Sequence, residues 1–410
     1  MTRRDSLRTL AGTALTSLPF VGQQSKLKIT GLRLVSTRQR KAPPAYTPSP
    51  DAWSTDKVEI AKPMSIYPDY KASRNLFFAD PGKVPSFTVE ISTDKGIVGY
   101  GHGGPGGGAI VTDHLAKFLI GKDPFDIERL WDICWRSTMH YGRMGVTMNA
   151  ISGVDLALWD IVGKALNVPV YKLLGGDTKE RIPAYCTGND IEQHIEFGYK
   201  KLKLAIPHGP ADGREGMRKN EALVKRARNL LGPDGEIMLD CWMAWTERYT
   251  IEMCEMLAPY RVYWVEEVLQ PHDYAGFGRL NAQIKSTRIA TGEHEYGRYG
   301  FRYLLEAKGA EIWQPDINWC GGLTELRRIG AMAAAYDIPV IPHGGGLSAA
   351  VHWIQATPYA PWAELFLPPP GGPKEVYQLH EEQFNISRGP EGIYTRPHDR
   401  PGFGWDIVVV

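Results

Sequence analysis

The chain has 410 residues, with 47 Lys and Arg against 46 Asp and Glu, a net charge of +1, 43% hydrophobic residues and 23% charged ones. At roughly 150 residues per domain this is two to three units sharing sizeable cores, which excludes a mini-protein, a lone binding module and a largely disordered chain. The even charge balance contains no basic block, which excludes nucleic acid as a partner bound through its phosphates.

Residues 1–26 stand apart as a leader. Arg3-Arg4 ahead of the mildly apolar stretch from Thr9 to Gly22 follows the order of a twin-arginine export signal, which would carry the chain to the periplasm. No small-x-small cleavage site stands near Val21-Gly22-Gln23, so a frayed cytoplasmic leader is the equal alternative. The stretch is too short to span a bilayer and no other segment reaches that length, so no membrane span is expected and the mature chain is expected to be soluble. The cysteines Cys134, Cys186, Cys241, Cys254 and Cys320 are odd in number and form no C-x-x-C pair, so they read as buried thiols rather than as disulfides or a zinc site.

Residues 27–150 read as an α+β unit. Leu27 to Val35 alternates like a half-buried strand, and Ser86 to Ser92 with Gly96 to Gly101 reads as a hairpin turning at Thr93-Asp94-Lys95-Gly96. Between them, about 38–70 is rich in Pro, Ser and Asp and has little periodicity, which predicts a lid. Helical spacing covers Ile110 to Ile120, Ile127 to Trp135 and Met148 to Leu166, the last apolar on more than one face and therefore deeply buried. His102 and the glycines from Gly101 to Gly108 lack both the P-loop Lys and the Rossmann spacing, so they read as a flexible turn.

Over 151–385 the pattern becomes strand, loop, helix, repeated, with short apolar strands at Lys201 to Ala205, Ile237 to Asp240, Val262 to Glu266, Ile289 to Glu293, Ile312 to Asp316 and Val340 to His343. Such alternation predicts a parallel sheet, and a closed parallel barrel gathers all strand C-termini on one face. Five successive strands end on Asp240, Glu266, Glu293, Asp316 and His343. Three neighbouring carboxylates, Asp240, Glu266 and Glu293, would repel one another in a partly dry barrel mouth unless a cation sits between them. All-oxygen ligation suits Mg²⁺ better than zinc. Asp316 and His343 on adjacent strands can form a dyad, the carboxylate taking one imidazole N–H and leaving the other nitrogen free to move a proton.

These residues carry a family resemblance. The ordered set Met238-Leu239-Asp240-Cys241-Trp242-Met243, Trp264-Val265-Glu266-Glu267, Thr291-Gly292-Glu293-His294, Gln314-Pro315-Asp316 and Ile341-Pro342-His343-Gly344 resembles the enolase superfamily, mandelate racemase subgroup, and within it the L-rhamnonate dehydratases. Val154-Asp155-Leu156-Ala157-Leu158-Trp159-Asp160 and Cys320-Gly321-Gly322-Leu323 extend the likeness, which runs from about Lys57 to Phe403. It implies a modified TIM barrel, (β/α)7β, under an N-terminal α+β capping domain, with 386–410 returning to the cap. It also implies Mg²⁺ on Asp240, Glu266 and Glu293, and an Asp316–His343 dyad that removes the proton α to a carboxylate before the 3-hydroxyl leaves, giving a 2-keto-3-deoxy acid. The partner is then a small acid sugar and the assembly a homo-oligomer.

Lys201 and Lys203 lie two apart, on one face of a strand, and match the K-x-K motif of the racemase-type members. Two readings stand equal: either lysine is a base, or one neutralises a substrate carboxylate while the other is a solvated edge residue. With Lys203 opposite His343 a racemase or epimerase is the enzymatic alternative, and a non-catalytic sugar-acid binding or sensing protein is the alternative outside enzymes. Arg74 matches a position that binds the substrate carboxylate or distal hydroxyls, and His294, next to a metal ligand, is placed against substrate or the ligands themselves. One departure weakens the assignment of L-rhamnonate itself: Ala52 precedes Trp53 where those dehydratases carry a His.

Overall fold

The computed structural model describes residues 26–53, 59–71, 84–347 and 349–410. The leader up to residue 25, part of the expected lid and Arg74 lie outside the described residues.

The N-terminal unit is a three-stranded antiparallel sheet in the order β1 (Ile29–Val35), β3 (Phe87–Thr93), β4 (Val98–Gly103), while a short β2 (Thr37–Gln39) leaves this sheet. The helix Val146–Leu166 lies across it. It comes close because β4 carries glycine on the facing side: a Cβ on Gly99 would stand 2.2 Å from the Ala157 carbonyl oxygen, and one on Gly101 1.9 Å from that of Gly153. Gly101 and Gly103 are thus strand residues that seat a helix, not the flexible turn expected. His102 bonds Thr88 Oγ1 at 2.8 Å and packs on Trp405.

The opposite face of the same helix meets the second unit through polar contacts. Asp155 accepts the Thr324 N–H at 2.9 Å and the Thr324 hydroxyl at 2.5 Å, and Ser152 Oγ accepts the Gly321 N–H at 2.9 Å. Burial pushes the Asp155 carboxyl up to about 7. A helix buried on both sides explains its two apolar faces in sequence.

The second unit is a parallel barrel. Strands β5 (Ile182–Thr187), β6 (Lys201–Ala205), β7 (Glu236–Asp240), β8 (Trp264–Glu266), β9 (Arg288–Thr291) and β10 (Ile312–Trp313) pair in order, and Trp313 bridges Val340 in the seventh segment. The eighth strand, β11 (Ala363–Phe366), pairs parallel with β5, and Gly346 N–H donates to Glu364 O at 2.9 Å, closing the ring. Tyr185, Met238, Trp264, Ala290, Ile312 and Ile341 fill its interior. The hairpin β12 (Ser387–Gly389) and β13 (Gly392–Thr395) adds to the N-terminal end of β5, and β14 (Ile407–Val409) then pairs antiparallel with β2.

Two boundaries differ from the expectation. β5 and β11 are additional strands, the first opened by Ile182-Pro183 and the second bracketed by prolines, so neither shows a clean alternation. Glu293, Asp316 and His343 lie just beyond the last paired residue of their strands, in the loops that form the barrel mouth. Among the described residues no helix is long and apolar enough to cross a membrane.

Candidate active site

The parallel register brings Ala205, Asp240 and Glu266 side by side at the ends of β6, β7 and β8. The chain then bends sharply: Trp242, Met243 and Glu267 have φ of 42°, 62° and 48°, a left-handed conformation that costs non-glycine residues energy and clusters at working sites. Backbone bonds hold these bends, with Trp242 N–H on Asp240 Oδ1 at 3.0 Å and Cys241 N–H on Glu266 O at 2.9 Å.

Glu266 is fully buried. It takes Lys203 Nζ at 2.8 Å, Gln314 Nε2 at 2.7 Å and Trp264 Nε1 at 3.1 Å. Burial first, and mutual repulsion second, push Asp240, Glu266 and Glu293 each up to about 7, with Lys203 and His343 pulling the other way. A set of buried acids whose shared ionisation is this unfavourable fits a hard divalent cation. Among the described residues the donor atoms at the mouth that lie within 4.8 Å of one another are those of Glu267, Glu293 and His294, not the expected three. Glu267 and His294 are, however, spent on each other, His294 Nδ1 lying 2.8 Å from Glu267 Oε2. Burial opposes charge on that imidazole, but Glu267 and Glu293 hold it up at about 9. His294 is thus paired with Glu267, while Asp240, Glu266 and Glu293 stand as buried carboxylates at the mouth.

His343 stands over Glu293. Its Nδ1 bonds Asp316 Oδ2 at 2.8 Å and its Nε2 lies 3.3 Å from Glu293 Oε1. Asp316 is itself fixed, since Oδ1 accepts the Asn318 N–H at 2.6 Å. The expected dyad geometry is therefore present. Although burial disfavours the imidazolium, Glu293 and Asp316 hold His343 well above the ordinary histidine range.

The two lysines separate. Lys203 is buried with Nζ 2.8 Å from both Glu266 and Glu364. Burial disfavours its charge, yet the two carboxylates raise it well above the ordinary lysine range, so it stands as a fixed cation and not as a free base. Lys201 corrects the expectation. It begins β6, one inward position nearer the N-terminal end of the barrel, and binds Glu391 Oε2 at 3.2 Å over the Trp362 ring. It is neither a base nor a substrate cation at the mouth, because the barrel core lies between it and the carboxylates.

Glu364 was not visible as a site residue in the sequence. It is the second residue of β11, lies 2.8 Å from Lys203 Nζ, takes the Thr187 hydroxyl at 2.5 Å and the Gly344 N–H at 2.7 Å, and is held down at about 2 by Lys203 and His343 despite its burial. Glu266 shares the same lysine but goes the other way: burial raises it most, and the charges of Asp240 and Glu364 beside it add to the rise. No strand-end signal marked Glu364, which is the second residue of the short eighth strand and not its last. Ala52 is buried, and Trp53 N–H donates to Asp190 Oδ1 at 3.1 Å, which docks this end of the lid beside β5.

The chain resembles known proteins over most of its length. The family described as enolase C-terminal domain-like matches residues 188–408, and the mandelate racemase / muconate lactonizing enzyme N-terminal domain matches residues 78–175. An L-rhamnonate dehydratase of Saccharopolyspora erythraea is 40% identical over 86% of this chain and 90% of its own. The crystal structure of L-rhamnonate dehydratase from Gibberella zeae superposes with a TM-score of 0.82 at 36% identity, over 95% of each chain. The Gibberella zeae enzyme complexed with Mg gives 0.80 at 36% identity, over 94% of this chain and 95% of that one.

Proposed function

Given that this chain belongs to the enolase superfamily, in its mandelate racemase and muconate lactonizing enzyme branch, we propose that it is a Mg²⁺-dependent acid-sugar dehydratase of the L-rhamnonate type. The observation that carries the reading is the buried site in which His343, oriented by Asp316, faces Glu293 beside Asp240 and Glu266. Asp240, Glu266 and Glu293 would hold Mg²⁺, which when bound offsets their charge and draws electron density from the substrate carboxylate, acidifying the α-proton.

The protein's own groups do the rest. Asp316 fixes the imidazole by its Nδ1–H; with the charge of Glu293, the main cause that keeps the ring protonated, offset in the loaded site, Nε2 of the then neutral His343 takes the proton from carbon 2. The resulting imidazolium returns a proton to the departing 3-hydroxyl, and water and an enol leave the site. The enol tautomerises to the 2-keto-3-deoxy acid. Lys203 keeps Glu266 and Glu364 in place and takes no proton, which favours elimination by one base over the two-base chemistry of a racemase.

The substrate is read as an acid sugar. Ala52, in place of an expected His, removes one hydrogen bond from the lid, and the preferred stereochemistry follows from what the rest of the lid and Arg74 offer. A homo-oligomer belongs to the same reading, and light scattering of the purified protein tests it. The direct test of function is a screen of four- to six-carbon acid sugars with Mg²⁺, reading 2-keto-3-deoxy acid. Product from at least one substrate is expected, with loss of both product and Mg²⁺ binding by calorimetry in Asp240→Asn and Glu266→Gln. A library that yields only epimers, or nothing, defeats the proposal.

A further inference from the structure

The loop after β10 places Trp319 between two imidazoles. Its ring centroid lies 5.4 Å from that of His294 on one side and 5.4 Å from that of His343 on the other, with interplanar angles of 39° and 35°. Phe366 closes the remaining edge of His343 at 6.5 Å. The contacts of Nδ1 with Asp316 and of Nε2 with Glu293 hold two points of the imidazole but leave the ring free to rock about the line between them, and a flat neighbour removes that freedom.

The indole is in turn held from the other domain. Gly104, just beyond β4, donates its N–H to Asn318 O at 3.2 Å. A Cβ on Gly104 would stand 2.6 Å from Trp319 Cδ1 and 2.6 Å from Asn149 Cγ, so only glycine lets the cap lie against this indole. Asn149 belongs to the first turn of the helix Val146–Leu166, the same helix that joins cap to barrel through Asp155 and Thr324. Gly104 belongs to the glycine-rich stretch that has no nucleotide to bind.

We infer that Trp319 is a positioning residue that sets the ring plane of His343, and that Gly104 makes this position depend on the capping domain being docked. The cap then does more than cover the mouth: its contact with the 316–320 loop aligns the imidazole that moves the proton. The kinetic arm of the test rests on the dehydratase reading above, and the structural arm does not.

Three variants test it in the full-length protein: Trp319→Phe, Trp319→Ala and Gly104→Ala, each first checked for an unchanged thermal transition. Misplacing an acid–base group by about 1 Å costs on the order of 100-fold. We therefore expect Trp319→Ala and Gly104→Ala to lower kcat by about 10- to 100-fold with KM shifted by less than about threefold, and Trp319→Phe to restore kcat to within about threefold of the parent. In crystal structures of Trp319→Ala the His343 Nδ1 to Asp316 Oδ2 contact of 2.8 Å should lengthen or the ring rotate, and in Trp319→Phe it should persist. A rise in KM at constant kcat would make Trp319 a substrate contact and overturn the inference. So would an unmoved His343 in the Trp319→Ala structure, whether or not any acid sugar is turned over.

Discussion

Lys201 and Lys203 are the same residue type on the same face of one strand, two positions apart, and the barrel gives them opposite roles. Lys203 is enclosed at the catalytic end, its charge divided between Glu266 and Glu364. Lys201 sits at the other end on Glu391, a residue of the β12–β13 hairpin whose side chain is 56% exposed. One inward layer of a parallel barrel separates chemistry from closure. Neither lysine matches the free base that a K-x-K motif announces, and for the upper one the reason is the company of two buried carboxylates.

The contrast can be broken at several points. The largest effect is expected at the group that takes over from the lysines: His343→Asn should lower kcat by about 1000-fold, a usual figure for removing an acid–base group, with the fold intact by circular dichroism. Lys203→Met leaves Glu266 and Glu364 buried without their cation, and breaking such a pair costs about 3–5 kcal/mol, read as a lower midpoint in urea unfolding. Little change in that midpoint would show that Lys203 is dispensable to the site.

A smaller, pH-dependent effect is expected at His294. Glu267 and Glu293 raise its folded value to about 9 from an ordinary 6.5, so its stabilising contribution is complete below about 6.5 and fades as pH climbs through 9. His294→Gln should then lose more stability relative to the parent at pH 6 than at pH 10, measured by urea unfolding with a chelator present. The smallest effect belongs to Lys201→Met, where a pair with an exposed partner is worth about 1 kcal/mol or less and turnover should stay within about twofold. A large loss of turnover there would place Lys201 back at the mouth.

Much of this site was legible because a parallel barrel converts sequence period into spatial adjacency. Asp240, Glu266, Glu293, Asp316 and His343 recur at or just beyond the C-terminal ends of five successive strands, the first two as paired strand residues and the last three in the loops that follow, and the structure places all five at one mouth. The register says which end of a strand a residue occupies and nothing about its partners. Lys201 was misplaced for that reason, since inward direction was readable and depth was not. Glu364 was missed because β11 is four residues long and set between prolines, too short for alternation to declare it. The glycines after residue 98 misled in another way. Their spacing of two suits a strand that seats a helix, but composition alone made them look like a turn. Trp319 could not be read at all, because stacking between loops of different strands leaves no local pattern.

In the proposed reaction one base, His343, serves the site while Lys203 is held as a cation. The most direct measurement is exchange of the α-proton of an acid-sugar substrate with solvent deuterium, followed by proton NMR with Mg²⁺ present, in His343→Asn. Exchange and dehydration are expected to cease together. Exchange that survives in His343→Asn and disappears when Lys203→Met is added would make Lys203 an independent base and overturn the one-base reaction.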